Sequence, residues 1–80
     1  MSDDLIPLEV GDLRLISNNL VCWDEPFPSR NAEDFGYVKV GGFFLVVNIN
    51  HFNSECTLAT SEGLKYAHEK QVLKDSKGFK

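Results

Sequence analysis

The thiol and imidazole side chains of this 80-residue chain are Cys22, Cys56, His51 and His68. Zinc takes four such ligands, usually as closely spaced pairs. The chain has no C-x-x-C or H-x-x-x-H pair, so no metal or other cofactor is expected. A cysteine nucleophile needs an exposed, activated thiolate beside a base. The strand pattern puts His51 and Cys56 side by side across a hairpin, with Cys56 facing the core. No enzyme is expected from that arrangement. Two cysteines are not a disulfide framework, and buried free thiols are the expected state.

The acids Asp24, Glu25, Glu33 and Asp34 cluster in one segment. Paired carboxylates can bind a cation or move protons, but the spacing is not that of a calcium-binding loop. A solvated acidic loop is expected. Gly11 and Gly41-Gly42 lack the Lys-Ser/Thr that follows a phosphate cradle, and read as turns. The more informative stretch is Trp23-Asp24-Glu25-Pro26-Phe27-Pro28, with Phe35 and Tyr37 beyond it. Aromatic residues in an acidic loop suit a binding surface. They equally suit side chains folded back to cap the core, and both readings stay open for Trp23 and Phe35. Phe44 and Tyr66 extend the same candidate patch. An acidic rim favours a basic protein partner.

The elements that must hold these residues are short strands. Leu13–Ile16 follows the turn Val10-Gly11-Asp12. Leu20–Trp23 is a second candidate, and a long punctuated loop runs from Asp24 to about Gly36. Tyr37–Val40 is rich in β-formers. From Phe43 to His51 the odd positions Phe43, Leu45, Val47 and Ile49 are apolar, which assigns that face to the core. A four-residue loop, Phe52–Glu55, would pair His51 with Cys56 and Ile49 with Leu58. Cys56–Thr60 and Leu64–His68 follow, then one helical turn at His68–Gln71 and a short strand, Val72-Leu73. The expected architecture is mainly β, about five short strands closed into a small barrel. Residues 1–8 read as a flexible lead-in, 9–73 as a single domain and 74–80 as a flexible tail.

Three stretches resemble small phage-encoded SH3-like proteins of unknown function. They are Val10-Gly11-Asp12-Leu13, Leu45-Val46-Val47, and Thr57 through Tyr66, followed by Val72-Leu73. The resemblance spans residues 10–73 and implies a five-stranded SH3-like barrel, with a long acidic loop after the first strand and a helical turn near the C-terminus. The chain departs from signalling SH3 domains. It lacks their alanine-leucine-tyrosine-aspartate-tyrosine signature and their paired tryptophans. Glu69-Lys70-Gln71 stands where they have serine-asparagine-tyrosine. Proline-peptide binding is therefore not implied.

Charge narrows the function. Acids number 12 and bases 8, for a net charge of −4. Residues 1–40 hold eight of the acids and three of the bases. Such a surface repels phosphate backbones. The longest apolar run, Phe43–Val47, is far below the ~20 residues of a membrane span. The start is acidic, without a signal-peptide pattern, so a cytoplasmic location is expected. The sequence thus points to a non-enzymatic interaction module, monomeric or weakly dimeric, that binds a host or phage protein through Trp23, Asp24, Glu25, Phe27, Phe35, Tyr37, Phe44 and Tyr66. A nucleic-acid-binding small barrel and a small-ligand-binding protein are the alternatives.

Overall fold

The computed structural model of the chain describes residues 8–27, 29, 31 and 33–78. The elements are β1 (Leu13–Ile16), β2 (Leu20–Cys22), β3 (Gly36–Val38), β4 (Phe43–Asn50), β5 (Glu55–Thr60), β6 (Gly63–His68), α1 (Glu69–Asp75) and β7 (Ser76–Gly78). The protein is mainly β, with one short helix near the C-terminus. Five strands form an antiparallel sheet in the order β6-β5-β4-β1-β7, and β2 pairs with β3 separately.

Strand β4 organises the core, and it does so with the face opposite to the expected one. Phe44 and Val46 are buried, while Phe43, Leu45 and Val47 point outward. A β-bulge follows, since Val46 pairs with Leu58 but Asn48 pairs with Thr57. The extra residue, Val47, shifts the alternation by one, so Ile49 turns back towards the core. Ile16, Leu20, Cys22, Cys56, Leu58, Ala67 and Val72 complete the buried cluster with Leu8.

The β4–β5 hairpin turns one residue earlier than expected, which moves each cross-strand partner by two residues. Its loop is His51–Ser54, and Ile49 pairs with Cys56. Two asparagines set this turn. The side-chain oxygen of Asn50 accepts from the Phe52 N–H at 3.0 Å, and that of Asn53 accepts from the Glu55 N–H at 3.1 Å. Ser54 takes the left-handed conformation that closes it, with φ 57°.

Two further expectations are overturned. Among the described residues a closed barrel of about five strands does not form; seven strands make two open sheets. Strand β2 reaches the edge of β6 through a single bridge, Trp23 to Tyr66. Pro26, which has no N–H, and the bend at Asp24-Glu25 keep that ladder from extending. Val72-Leu73 is helical rather than extended. The His68 imidazole accepts from the Lys70 N–H at 3.2 Å as N-cap, and the Gln71 amide donates to Asp75 one turn later. Helix α1 thereby drops Val72 into the core.

The closing strand is instead β7, in a segment expected to be a flexible tail. Arg14 holds it: Nε donates to Ser76 Oγ at 2.7 Å and a terminal nitrogen donates to the Ser76 carbonyl at 2.9 Å. The Asp75 carbonyl accepts from the N–H groups of Ser17 and Asn18, tying the helix end to the β1–β2 turn. Of the expected lead-in only Leu8 is described, and it is buried. Residues 1–7 and 79–80 lie outside the described residues, as do Pro28, Arg30 and Ala32.

The phase of β4 has a direct test. Phe44→Ala should cost about 3–5 kcal/mol in urea unfolding, whereas Leu45→Ala should cost under ~1 kcal/mol. The reverse order would place the core on the other face of the strand.

Candidate interaction surface

Residues paired across antiparallel strands share a face, so the register maps the outer surface of the sheet. One row runs Leu13, Leu45, Ala59, Leu64 across β1, β4, β5 and β6. A neighbouring row runs Lys77, Leu15, Phe43. Leu13, Phe43, Leu45, Val47 and Leu64 are all exposed. The sequence pattern assigned the β4 part of this face to the core. The signal that reveals it is the unbroken run Phe43–Val47, which makes both faces of the strand apolar.

The aromatic loop joins this face at the β6 edge. Trp23 and Tyr66 exchange both backbone hydrogen bonds, each 2.8 Å. Tyr66 pairs on its other side with Thr57, so Trp23, Tyr66 and Thr57 form a third outward row. Both aromatic side chains are half-buried. Val21 and Trp23 alternate with the buried Leu20 and Cys22, so Trp23 lies on the face away from the buried cluster. Asp24 is exposed and forms an ion pair with the Lys65 ammonium, and that hydrogen bond holds the Lys65 pKa above its ordinary value.

Glu25 is exposed and Phe27 is more than half exposed. The Phe27 N–H donates to the Glu55 carboxylate, at 3.1 Å to one oxygen and 3.3 Å to the other. The loop thus covers Glu55, which is buried, and leaves an open cleft of about 230 Å³ lined by Phe27, Asn53, Glu55 and His68. Phe35 and Tyr37 sit exposed on the β3 side, ring edge to ring face, with centroids 5.7 Å apart and planes at 86°. Glu33 and Asp34 are exposed beside them. Asn31 shapes that turn, its side-chain oxygen accepting from the Glu33 N–H and its carbonyl from the Asp34 N–H.

Seven of the eight expected surface residues therefore have outward or loop positions. The eighth does not: Phe44 is 1% exposed and is the largest fully buried side chain. It pairs with Arg14 and Thr60 on the inner face, because β4 runs in the opposite phase to the one its alternation suggested.

No protein-family model, curated protein or solved structure matches the chain.

The thiols and imidazoles do not converge. His51 is exposed in the hairpin loop, and Cys56 lies opposite Ile49 rather than His51. His68 is engaged as the helix cap. Among the described residues, no three His, Cys, Asp or Glu side chains group to hold a metal ion. Among those residues, too, no helix is long and apolar enough to cross a membrane. Both cysteines are free and buried. Burial raises the Cys22 pKa, with Lys65 opposing the rise. Burial, helped by the charges of Glu69 and Glu55, pushes the Cys56 thiol up from 9.0 to about 12. Both thiols are protonated at neutral pH.

A pH dependence follows for Cys56. In the unfolded chain the thiol ionises near its ordinary value of 9.0, while in the fold it holds its proton to about 12. The unfolded state then binds fewer protons, so stability falls as pH rises through that window. Thermal unfolding of the wild type should lose stability more steeply between pH 9 and pH 12 than Cys56→Ala does. Equal slopes would show that the thiol does not sense folding.

Proposed function

We propose that this chain is a non-enzymatic protein-interaction module, phage-encoded and SH3-like in its build, that binds a basic surface of a host or phage protein. The chain order supports the SH3-like part. It runs from strand β1 through a long connection holding β2 and β3 to strand β4, then through a tight hairpin to β5. Strand β6, a short helix and the final strand β7 beside β1 follow. The local likeness to small phage SH3-like proteins supports the origin.

One observation carries the binding reading. The Trp23–Tyr66 backbone bridge anchors the loop so that aromatic side chains line an outward face with acids around them. Trp23, Tyr66, Phe27, Phe35 and Tyr37 supply large rigid contact area, the type that dominates binding energy. Asp24, Glu25, Glu33 and Asp34 form the rim, and an acidic rim speeds encounter with a cationic partner. The same charge disfavours nucleic acid.

The test is capture from nuclease-treated bacterial lysate, comparing the wild type with two surface variants. Phe35 and Tyr37 are exposed, so their truncation spares the core. Tyr37→Ala should weaken capture of a specific protein by roughly thirtyfold, the effect of losing about 2 kcal/mol at a hot spot. Asp34→Lys should weaken it further as salt is lowered. Capture unchanged in both variants would contradict the reading, and capture abolished by nuclease would favour a nucleic-acid ligand.

A further inference from the structure

Strand β3 has one edge in use and one open. It pairs with β2, and among the described residues no strand lies beyond it. The hydrogen-bond phase of β2 fixes which groups the open edge carries. Trp23 exchanges both backbone bonds with Tyr66, so its N–H and C=O point towards β6. These groups alternate sides along a strand, so those of Leu20 and Cys22 point towards β3. Leu20 opposite Val38 and Cys22 opposite Gly36 are then the hydrogen-bonded pairs of the ladder, and Val21 opposite Tyr37 is the pair between them. The N–H and C=O of Tyr37 therefore point away from β2, into the open edge.

Sheets protect such edges with lysine, proline, bulges or a covering element. Gly36–Val38 carries neither charge nor proline, and Gly36 and Tyr37 are exposed. The turn beyond closes the edge on one side. There the Lys39 carbonyl accepts from the Gly42 N–H, and the Val40 N–H donates to the Asn19 side chain. At the other end Glu33 and Asp34 stand exposed just before Phe35. The Phe35 and Tyr37 rings meet edge to face, so both lie on one side of the edge. An extended segment laid here sets one residue opposite Tyr37, with its side chain beside that ring. A second, two residues along, lies beside Phe35 at the acidic end. Arginine or lysine at these positions packs its stem and charge on the rings and meets the carboxylates.

We infer that the partner binds by strand addition: an extended basic segment joins the outer edge of β3, making two main-chain hydrogen bonds to Tyr37 and setting cationic side chains on Phe35 and Tyr37. The inference rests on the binding reading above and specifies its mode. In such modes main-chain bonds supply affinity and alternate side chains supply specificity.

Titration of the full chain with a fluorescein-labelled peptide of sequence Arg-Thr-Arg-Thr-Arg-Thr, read by anisotropy at low salt, tests this. Binding should saturate, and the counterpart with glutamate in place of arginine should not bind. The Tyr37 amide should exchange its hydrogen at least ~10-fold more slowly in the complex, while the Gly36 and Val38 amides, already held by β2, change little. Protein carrying an N-methyl group on the Tyr37 nitrogen keeps every side chain and loses that one donor. It should keep a native circular dichroism spectrum and bind the peptide at least ~10-fold more weakly. Asp34→Lys should weaken binding by about tenfold, with the difference shrinking at high salt. Full-strength binding to the N-methyl protein, an unprotected Tyr37 amide in the complex, or no saturation by about 1 mM peptide overturns the inference. So does a Tyr37 amide already protected in concentrated protein without peptide, which would put a second copy at the edge. A lysate partner whose capture needs the Tyr37 ring but tolerates the N-methyl group would leave the binding reading standing and remove strand addition alone.

Discussion

The structure depends on a strand whose two faces are both apolar. The side chains of Phe43 to Val47 alternate outward and inward, and the described residues cover one side only. Phe44 and Val46 take the covered side, under Val72 of α1 and the inward side chains of β2. The bulge at Val47 then lets Ile49 rejoin the same core. Without the bulge, Asn48 and Asn50 would be turned inward, at the cost of burying amide groups. The outward apolar face is the consequence of this solution.

The edges of the sheet are managed by side chains and by the loop. Arg14 and Ser76 hold β7 against β1, and the Ser76 hydroxyl also donates to the Val72 carbonyl at the end of α1. At the far edge, the Trp23–Tyr66 bridge covers part of β6 and ends where Pro26 forces the chain away. That same interruption sends Phe27 across Glu55 and carries the acids outward. The loop therefore blunts an exposed edge and presents a recognition surface through one short contact.

Much of the strand layout was legible in the sequence. Alternating apolar residues after a turn marked β1 and β6, and β-forming runs marked β4 and β5. Glycine marked the β5–β6 turn, where Gly63 has φ 106°. Alternation failed at β4 because it ranks faces by polarity, and here the outward face is the longer apolar series. It also cannot register a one-residue bulge. The hairpin slipped because asparagine side chains, rather than loop length, fixed its turn. Val72-Leu73 read as a strand from β propensity, but a capped helix buries Val72 against the sheet. Trp23 and Tyr66 were legible as surface candidates from residue type. Leu13, Leu45 and Leu64 were not, since their type is that of core residues and only the register places them outside.

Strand β4 divides into a covered and an open face, and the rest of the fold follows from that division. Methyl-resolved solvent paramagnetic relaxation, using a soluble gadolinium chelate on dilute protein, reads that division directly. The Leu13, Leu45, Val47 and Leu64 methyls should relax strongly, and those of Val46, Leu58 and Val72 should be protected. Protection of Leu45 and Val47 in the monomer, with relaxation of Val46, would contradict that division.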